Sequence, residues 1–310
     1  MSAEIVLKCE NQRLVIDEHG GGIKEYYLQD GMERFDLICG YVVESEKTGS
    51  MGDVLFPFPG RIEDSKYEFE GQSHELSGLK QKNGHAIHGF AKLAEWRVVH
   101  ESEDSAKLSF VITKEDYAPK GFPFDLVLIL EYSLSVTGVH CKATVENVGE
   151  TNAPFGLGFH PYFTLDGKKV DDLILKVAAQ KLVEFDASLK PTGKFIDVPA
   201  TELNFQNPKQ IGDMVIDNCF TSLIYDERGF CTTEIMDSDG NKIFIWQDEN
   251  LPYLQLYSAD TIGEKKRRCG LAVEPQTCTG FILNKPEMGL RILSPGEVFG
   301  AEWGVGYLRV

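Results

Sequence analysis

Apolar and polar residues alternate along the most regular stretch of the chain. From Phe124 to Val136 the even positions, Phe124, Leu126, Leu128, Leu130, Tyr132, Leu134 and Val136, are all apolar, while Asp125, Glu131, Ser133 and Ser135 fall between them. A period of two predicts a long strand with one face in a core and the other in water. The next run repeats the pattern in the opposite parity, Val139, Cys141, Ala143 and Val145 against His140, Lys142, Thr144 and Glu146, and Thr137-Gly138 is placed to close a hairpin between them. Shorter runs recur at Leu108 to Thr113, Leu173 to Val177, Lys242 to Trp246 and Tyr253 to Tyr257, separated by turn residues such as Asp237-Ser238-Asp239-Gly240. No stretch longer than about two turns carries helical spacing. The pattern predicts an all-β chain, a large antiparallel β-sandwich with few helices. With no linker, low-complexity tract or internal repeat to divide it, residues 1–310 are expected to form a single domain.

Composition narrows the class of function. A chain of 310 residues, 42% of them hydrophobic, can bury a substantial core, which excludes a disordered or fibrous protein. The formal net charge of −17 disfavours binding to nucleic acid or to an anionic membrane, since both need a basic surface. The opening residues MSAEIVLKCENQRLVI carry charges throughout and do not read as a secretory leader, and no later run approaches the roughly 20 apolar residues of a membrane span. Seven scattered cysteines without a CxxC pair read as reduced thiols, so a cytoplasmic protein is expected. Monomer and homodimer are both open.

Candidate chemistry begins with FGLGFHPYF, Phe155 to Phe163, where His160 stands among aromatic and glycine residues directly before Pro161. Histidine can move protons near neutral pH without a large shift of its pKa. In isolation the same residue reads more readily as a core histidine under a strand-ending turn. Further segments follow and precede it in a fixed order: LFPFPGRI at Leu55 to Ile62, AIHGFAKLAEW at Ala86 to Trp96, VIDNCF at Val215 to Phe220, YLQLYS ending at Ser258 and AVEPQT at Ala272 to Thr277. In this order the segments resemble those of the aldose 1-epimerases, or mutarotases, from about Leu55 to the SPGE turn near Ser294. The resemblance implies a single large sandwich with a sugar lying in a cleft over one sheet, the substrate an aldohexose such as galactose or glucose.

Interconverting the anomers of such a sugar requires a base for the proton of the anomeric hydroxyl and an acid for the ring oxygen as the C1–O5 bond breaks. No metal and no other cofactor is needed. Glu274 sits at the end of an apolar run, and Pro275 after it biases its backbone toward an extended form that projects the carboxylate from a strand end. The resemblance makes Glu274 the base, His160 the acid and His88 a second histidine near the ring oxygen. It also makes Arg61 a substrate arginine, and Asp217 an acceptor for hydroxyls distant from the anomeric carbon. Gln255 lies on the polar face of the YLQLYS strand with Tyr253 and Tyr257, where it could line the cleft. Phe56, Phe58, Phe159 and Trp246 could stack on a sugar or belong to the core. One departure stands out: many relatives carry asparagine immediately before the arginine, and here the residue is Gly60.

Two other readings compete. The run Lys265-Lys266-Arg267-Arg268 would suit a phosphate, pointing to a hexose-6-phosphate 1-epimerase. A sandwich of this kind could also bind carbohydrate without catalysis, although both proton-transfer positions hold competent residues. The spacing His85-x-x-His88 is a weak metal signal on a non-helical segment, and no metal is expected.

Overall fold

The alternation in the sequence becomes two long paired strands. In the computed structural model, which describes residues 4–310, Leu126–Ser135 and Gly138–Asn147 run antiparallel from Leu126↔Asn147 to Ser135↔Gly138. Residues 128, 130, 132 and 134 are buried on the first strand and 139, 141, 143 and 145 on the second. The hairpin connection lies one residue earlier than the sequence suggests. Val136 and Thr137 form it, which leaves Val136 63% exposed despite its apolar parity. Gly138 instead opens the second strand at φ +115°, where a Cβ would lie 2.0 Å from the Val305 carbonyl oxygen.

This hairpin supplies the third and fourth strands of a nine-stranded sheet. Its order is Arg97–Glu101, Ser105–Ile112, Leu126–Ser135, Gly138–Asn147, Val298–Leu308, Lys242–Asp248, Phe230–Met236, Ile174–Val177 and Lys209–Gln210. A second sheet, of eight strands, follows the order Pro191–Asp197, Ala179–Phe185, Asp217–Leu223, Tyr253–Tyr257, Leu271–Gln276, Gly158–Phe159 and Val54–Leu55, with Tyr162–Phe163 also pairing Leu271–Gln276. Their inner faces meet in one continuous buried cluster, for example where the Phe159 ring packs 5.1 Å from Trp303. A four-stranded sheet, Glu4–Cys9, Gln12–Asp17, Ile23–Asp30 and Glu33–Asp36, contributes to the same cluster. The expected scarcity of helix is observed: the α-helix Lys114–Tyr117 has four residues, capped by the Thr113 side chain that ends the preceding run. No helix among the described residues is long and apolar enough to cross a membrane.

The segment before Leu271–Gln276 is fixed by an arginine from the basic run. Arg268 is only 7% exposed, and its guanidinium meets Asp260 Oδ1 at 3.1 Å and Asp171 Oδ2 at 3.1 Å while donating to the carbonyls of Met214 and Gly212. Lys266 Nζ donates to the Gly40 carbonyl at 2.7 Å. These contacts consume half of the supposed phosphate-binding run in tying loops together. Removing one partner of a buried ion pair leaves the other charged and unsolvated, at a cost of about 3–5 kcal/mol. Arg268→Met is therefore expected to lower the unfolding free energy by about 3 kcal/mol or more in urea denaturation. A loss below about 1 kcal/mol would show that Arg268 is not what anchors this loop.

Candidate functional site

Strand register brings the polar residues of the eight-stranded sheet onto one face. Gln255 opposes both Cys219 and Glu274, and Tyr257 opposes both Asp217 and Ala272. Paired residues share a face of the pleat, so Asp217, Gln255, Tyr257 and Glu274 all point the same way. On the other side of Leu271–Gln276 the sheet is interrupted between Gly158–Phe159 and Tyr162–Phe163, and His160 occupies the interruption. Pro275 suits this place. Val273 donates its N–H to the Pro161 carbonyl, and Pro275, two residues on, faces the same side, where the missing strand demands no donor.

Above this face lies a cavity of about 410 Å³, within the roughly 300–1,000 Å³ of small-molecule sites. Glu274, His160, His88, Arg61, Asp217 and Gln255 all line it. A larger hollow, about 1020 Å³, lies against the hairpin Lys66–Phe69 and Gln72–Glu75, but it contains no buried titratable pair.

The deepest groups are His160 and Glu274, 5% and 2% exposed, with Nε2 of one 3.3 Å from Oε1 of the other. Burial penalises charge on both. It raises the Glu274 carboxyl well above its usual range, helped by the negative charge of Asp217 and opposed by the hydrogen bond that Gln276 Nε2 donates to Oε2 at 2.8 Å. It lowers His160 to about 3, with the cation of Lys92 acting in the same direction. His160 is held by its own N–H donating to the Asp53 carbonyl, by Gly52 N–H donating to its carbonyl, and by the Tyr162 ring stacked 5.0 Å away at 16°.

His88 stands 5.6 Å from His160, ring centre to ring centre, at 84°. Its backbone is left-handed, φ +62°, a strained conformation for histidine that marks functional sites. The backbone N–H of Gly60 donates to His88 Nδ1 at 3.1 Å. Burial, then the charges of Lys92, of His160 when protonated and of Arg61, hold its pKa well below the ordinary value, so the ring is neutral and its one proton sits on Nε2. Gly60 itself has φ +64°, and a Cβ there would lie 2.5 Å from Gly280 Cα. An asparagine is excluded at this position by that backbone contact. His85 is engaged separately, its Nδ1 accepting the Asp64 N–H, and no group of three or more His, Cys, Asp or Glu among the described residues is arranged to hold a metal ion.

Further out, Gln255 Nε2 donates to Asp217 Oδ1 at 2.8 Å, orienting the carboxylate. Asp217 is open to the cleft yet walled by protein on enough sides that desolvation raises its pKa, against the pull of Arg61 and Gln255. Arg61 makes no ion pair among the described residues; Glu63, its sequence neighbour, pairs with Lys190 instead.

Other residues weighed for the cleft lie outside it. Phe56, Phe58 and Phe159 are buried in the core, and Trp246 lies on the nine-stranded sheet against Phe230 and His140, so none of the four lines the cleft. Tyr253, although on the same parity as Gln255, is buried beside Gly289. None of Lys265 to Arg268 lines the cavity. In their place the cleft presents Phe185, Phe281, Gln276 and Lys92. Gln276 and Lys92 fall inside the motifs AVEPQT and AIHGFAKLAEW, which was the one signal that could have found them.

Comparison with known proteins bears on the family of the chain and on its fold. A protein of Escherichia coli K12 named YihR, described as uncharacterized, is 28% identical over 287 residues, covering 90% of this chain and 84% of its own. Human galactose mutarotase is 22% identical over 329 residues, covering 90% of this chain and 92% of its own. The crystal structure of a GalM/aldose epimerase homologue from C. elegans superposes with a TM-score of 0.87 at 20% identity, covering all of both chains. The family model described as aldose 1-epimerase matches residues 4–305, and the chain belongs to the aldose 1-epimerase family.

Proposed function

We propose that the chain is an isomerase that interconverts the α and β anomers of an aldohexose, with Glu274 as base and His160 as acid. The observation that carries this reading is the 3.3 Å approach of two buried proton-carrying groups on the floor of a sugar-sized cavity. Glu274 takes the proton of the anomeric hydroxyl, the C1–O5 bond breaks, and His160 delivers a proton to the ring oxygen. The open aldehyde turns about C1–C2, and the reverse transfers close the ring on the other face. Protons balance, and both residues return to their starting state. His88, with its proton fixed on Nε2, donates to the ring oxygen, while Arg61 and the Asp217–Gln255 pair hold hydroxyls.

The depressed His160 and raised Glu274 make the neutral pair the resting form, so the charged pair that opens the ring is reached by moving one proton from Oε1 to Nε2. A carboxylate beside an imidazolium holds one proton, and so does a carboxylic acid beside a neutral imidazole. The two arrangements differ by one proton moving between Oε1 and Nε2. Ring opening converts the first into the second, removing two charges from a dry site, which is the direction burial favours.

Glu274→Gln is expected to lower kcat for glucose or galactose mutarotation, followed by polarimetry, by about 10²–10⁴-fold, with sugar binding retained. Turnover at the parent rate would remove Glu274 from the base role. A carbohydrate-binding protein without catalysis would instead show sugar affinity in the parent and no acceleration at all.

The pH dependence has a definite sign. A second proton enters the pair only as pH falls toward the lowered His160 value of about 3, and the last proton leaves only above the raised Glu274 value. The singly protonated pair therefore spans the interval from about 3 up to the raised Glu274 value, and kcat/KM is expected to form a broad plateau over it. A narrow bell confined between the ordinary values of 4.5 and 6.5 would show that the two groups titrate as if exposed.

A further inference from the structure

The cleft contains a cation that the scheme above does not use. Lys92, on the 3₁₀ turn Ala91–Leu93, lines the cavity and is half-buried, and it forms no ion pair among the described residues. The acid that acts on it electrostatically, Asp53, is taken by Lys47, whose Nζ lies 2.8 Å from Oδ1. The hydrogen bond Lys92 makes is to a neutral hydroxyl, Ser50 Oγ at 3.3 Å. Arg61 likewise makes no ion pair among the described residues. The Glu274–His160 pair sums to zero charge whichever of the two holds the shared proton, so the cavity carries Lys92 and Arg61 against Asp217, a local excess of positive charge inside a chain of net charge −17.

Its place in the cleft gives this charge a specific target. Across the sheet the strands carrying Asp217, Gln255 and Glu274 are followed by the His160 segment and then by Val54–Leu55, beside which lies the Ser50 loop. That loop is joined to His160 through the Gly52 N–H. Lys92 and Ser50 therefore stand beyond His160, on the side away from Asp217. In a hexopyranose the ring oxygen is bonded to C1 and to C5, and C5 carries the exocyclic C6. If Glu274 serves C1 and His160 the ring oxygen, the next position along the same line is C6. We infer that Lys92, with the Ser50 hydroxyl, is a subsite for an anionic group on C6 of the sugar, which makes the substrate a hexuronate or a hexose phosphorylated at C6. This rests on the epimerase reading. A lysine ammonium is a point charge with rotatable donors rather than a planar fork, so it selects for charge over the shape of the anion.

The test compares mutarotation of glucose, glucuronate and glucose 6-phosphate, each corrected for its spontaneous rate, by the parent, Lys92→Met and Lys92→Arg. The parent is expected to show kcat/KM at least tenfold higher for one of the anionic sugars than for glucose, mainly through KM. Lys92→Met should erase that ratio and Lys92→Arg should keep most of it. The two anionic substrates separate carboxylate from phosphate as the natural group. Should Lys92→Met fail to fold, the parent alone decides: its preference must shrink as salt is raised, because the contact is electrostatic. A preference that is insensitive to salt, or that survives in a folded Lys92→Met, overturns the subsite. Acceleration of glucose without any preference overturns the subsite and leaves the epimerase standing, whereas no acceleration of any sugar overturns both.

Discussion

The approach of His160 to Glu274 is the constraint around which the rest of the cleft is arranged. Two ionisable groups on a dry floor must be held by neighbours that do not themselves demand water, and the sheet supplies them. Glu274 is on a strand whose six residues are all buried, with Gln276 bonded to its far oxygen. His160 is set by two backbone hydrogen bonds and one stacked ring, not by a charged partner behind it. The sheet is broken where the histidine enters, and the proline next to the glutamate faces that break. Each of these departures from a regular sheet would weaken an ordinary sandwich, and here they coincide.

Close backbone contact performs a second part of the arrangement. Gly89 lies where a Cβ would come 2.1 Å from the Phe56 carbonyl oxygen, and Gly60 where it would come 2.5 Å from Gly280. The segments FPFPGR and IHGF are thereby pressed together, which brings Arg61 and His88 to the same wall. Gly60 gives up a side chain that could have reached the sugar, and its amide serves instead to fix the protonation of a histidine.

The strands were legible because a period of two survives wherever one face is buried, as it is from Leu126 to Val145. The hairpin turn shifted by one residue because close approach to Val305, not turn propensity, decides where Gly138 sits. Glu274, His160, His88, Arg61, Asp217 and Gln255 meet in one cavity although 213 positions separate Arg61 from Glu274. No local pattern encodes that meeting; the ordered motifs of a family do. What the sequence hid is whatever depends on a neighbour from elsewhere in the chain. Arg268 looks like one of four solvated cations until Asp171 and Asp260 close around it. Phe159 looks like a sugar platform until Trp303 packs on it. Lys92 carries no signal of its own in the sequence, and it stands out only once Asp53, the acid that acts on it, is seen to pair with Lys47.

The amide of Gly60 has one more consequence, and it concerns handedness. By occupying Nδ1 it makes His88 a group that can give a hydrogen bond into the cleft but cannot take one. Every hydroxyl of a pyranose can both give and take, so hydroxyls cannot distinguish such a group from a reversible one, and the ring oxygen, which can only take, is its one natural match. A sugar that slid round by one position would set a hydroxyl there, trade a unique pairing for a generic one, and carry its anomeric carbon away from Glu274. In the mechanism proposed above, a single peptide N–H would thus act as a compass needle for the ring, fixing which way round the sugar lies before any proton moves.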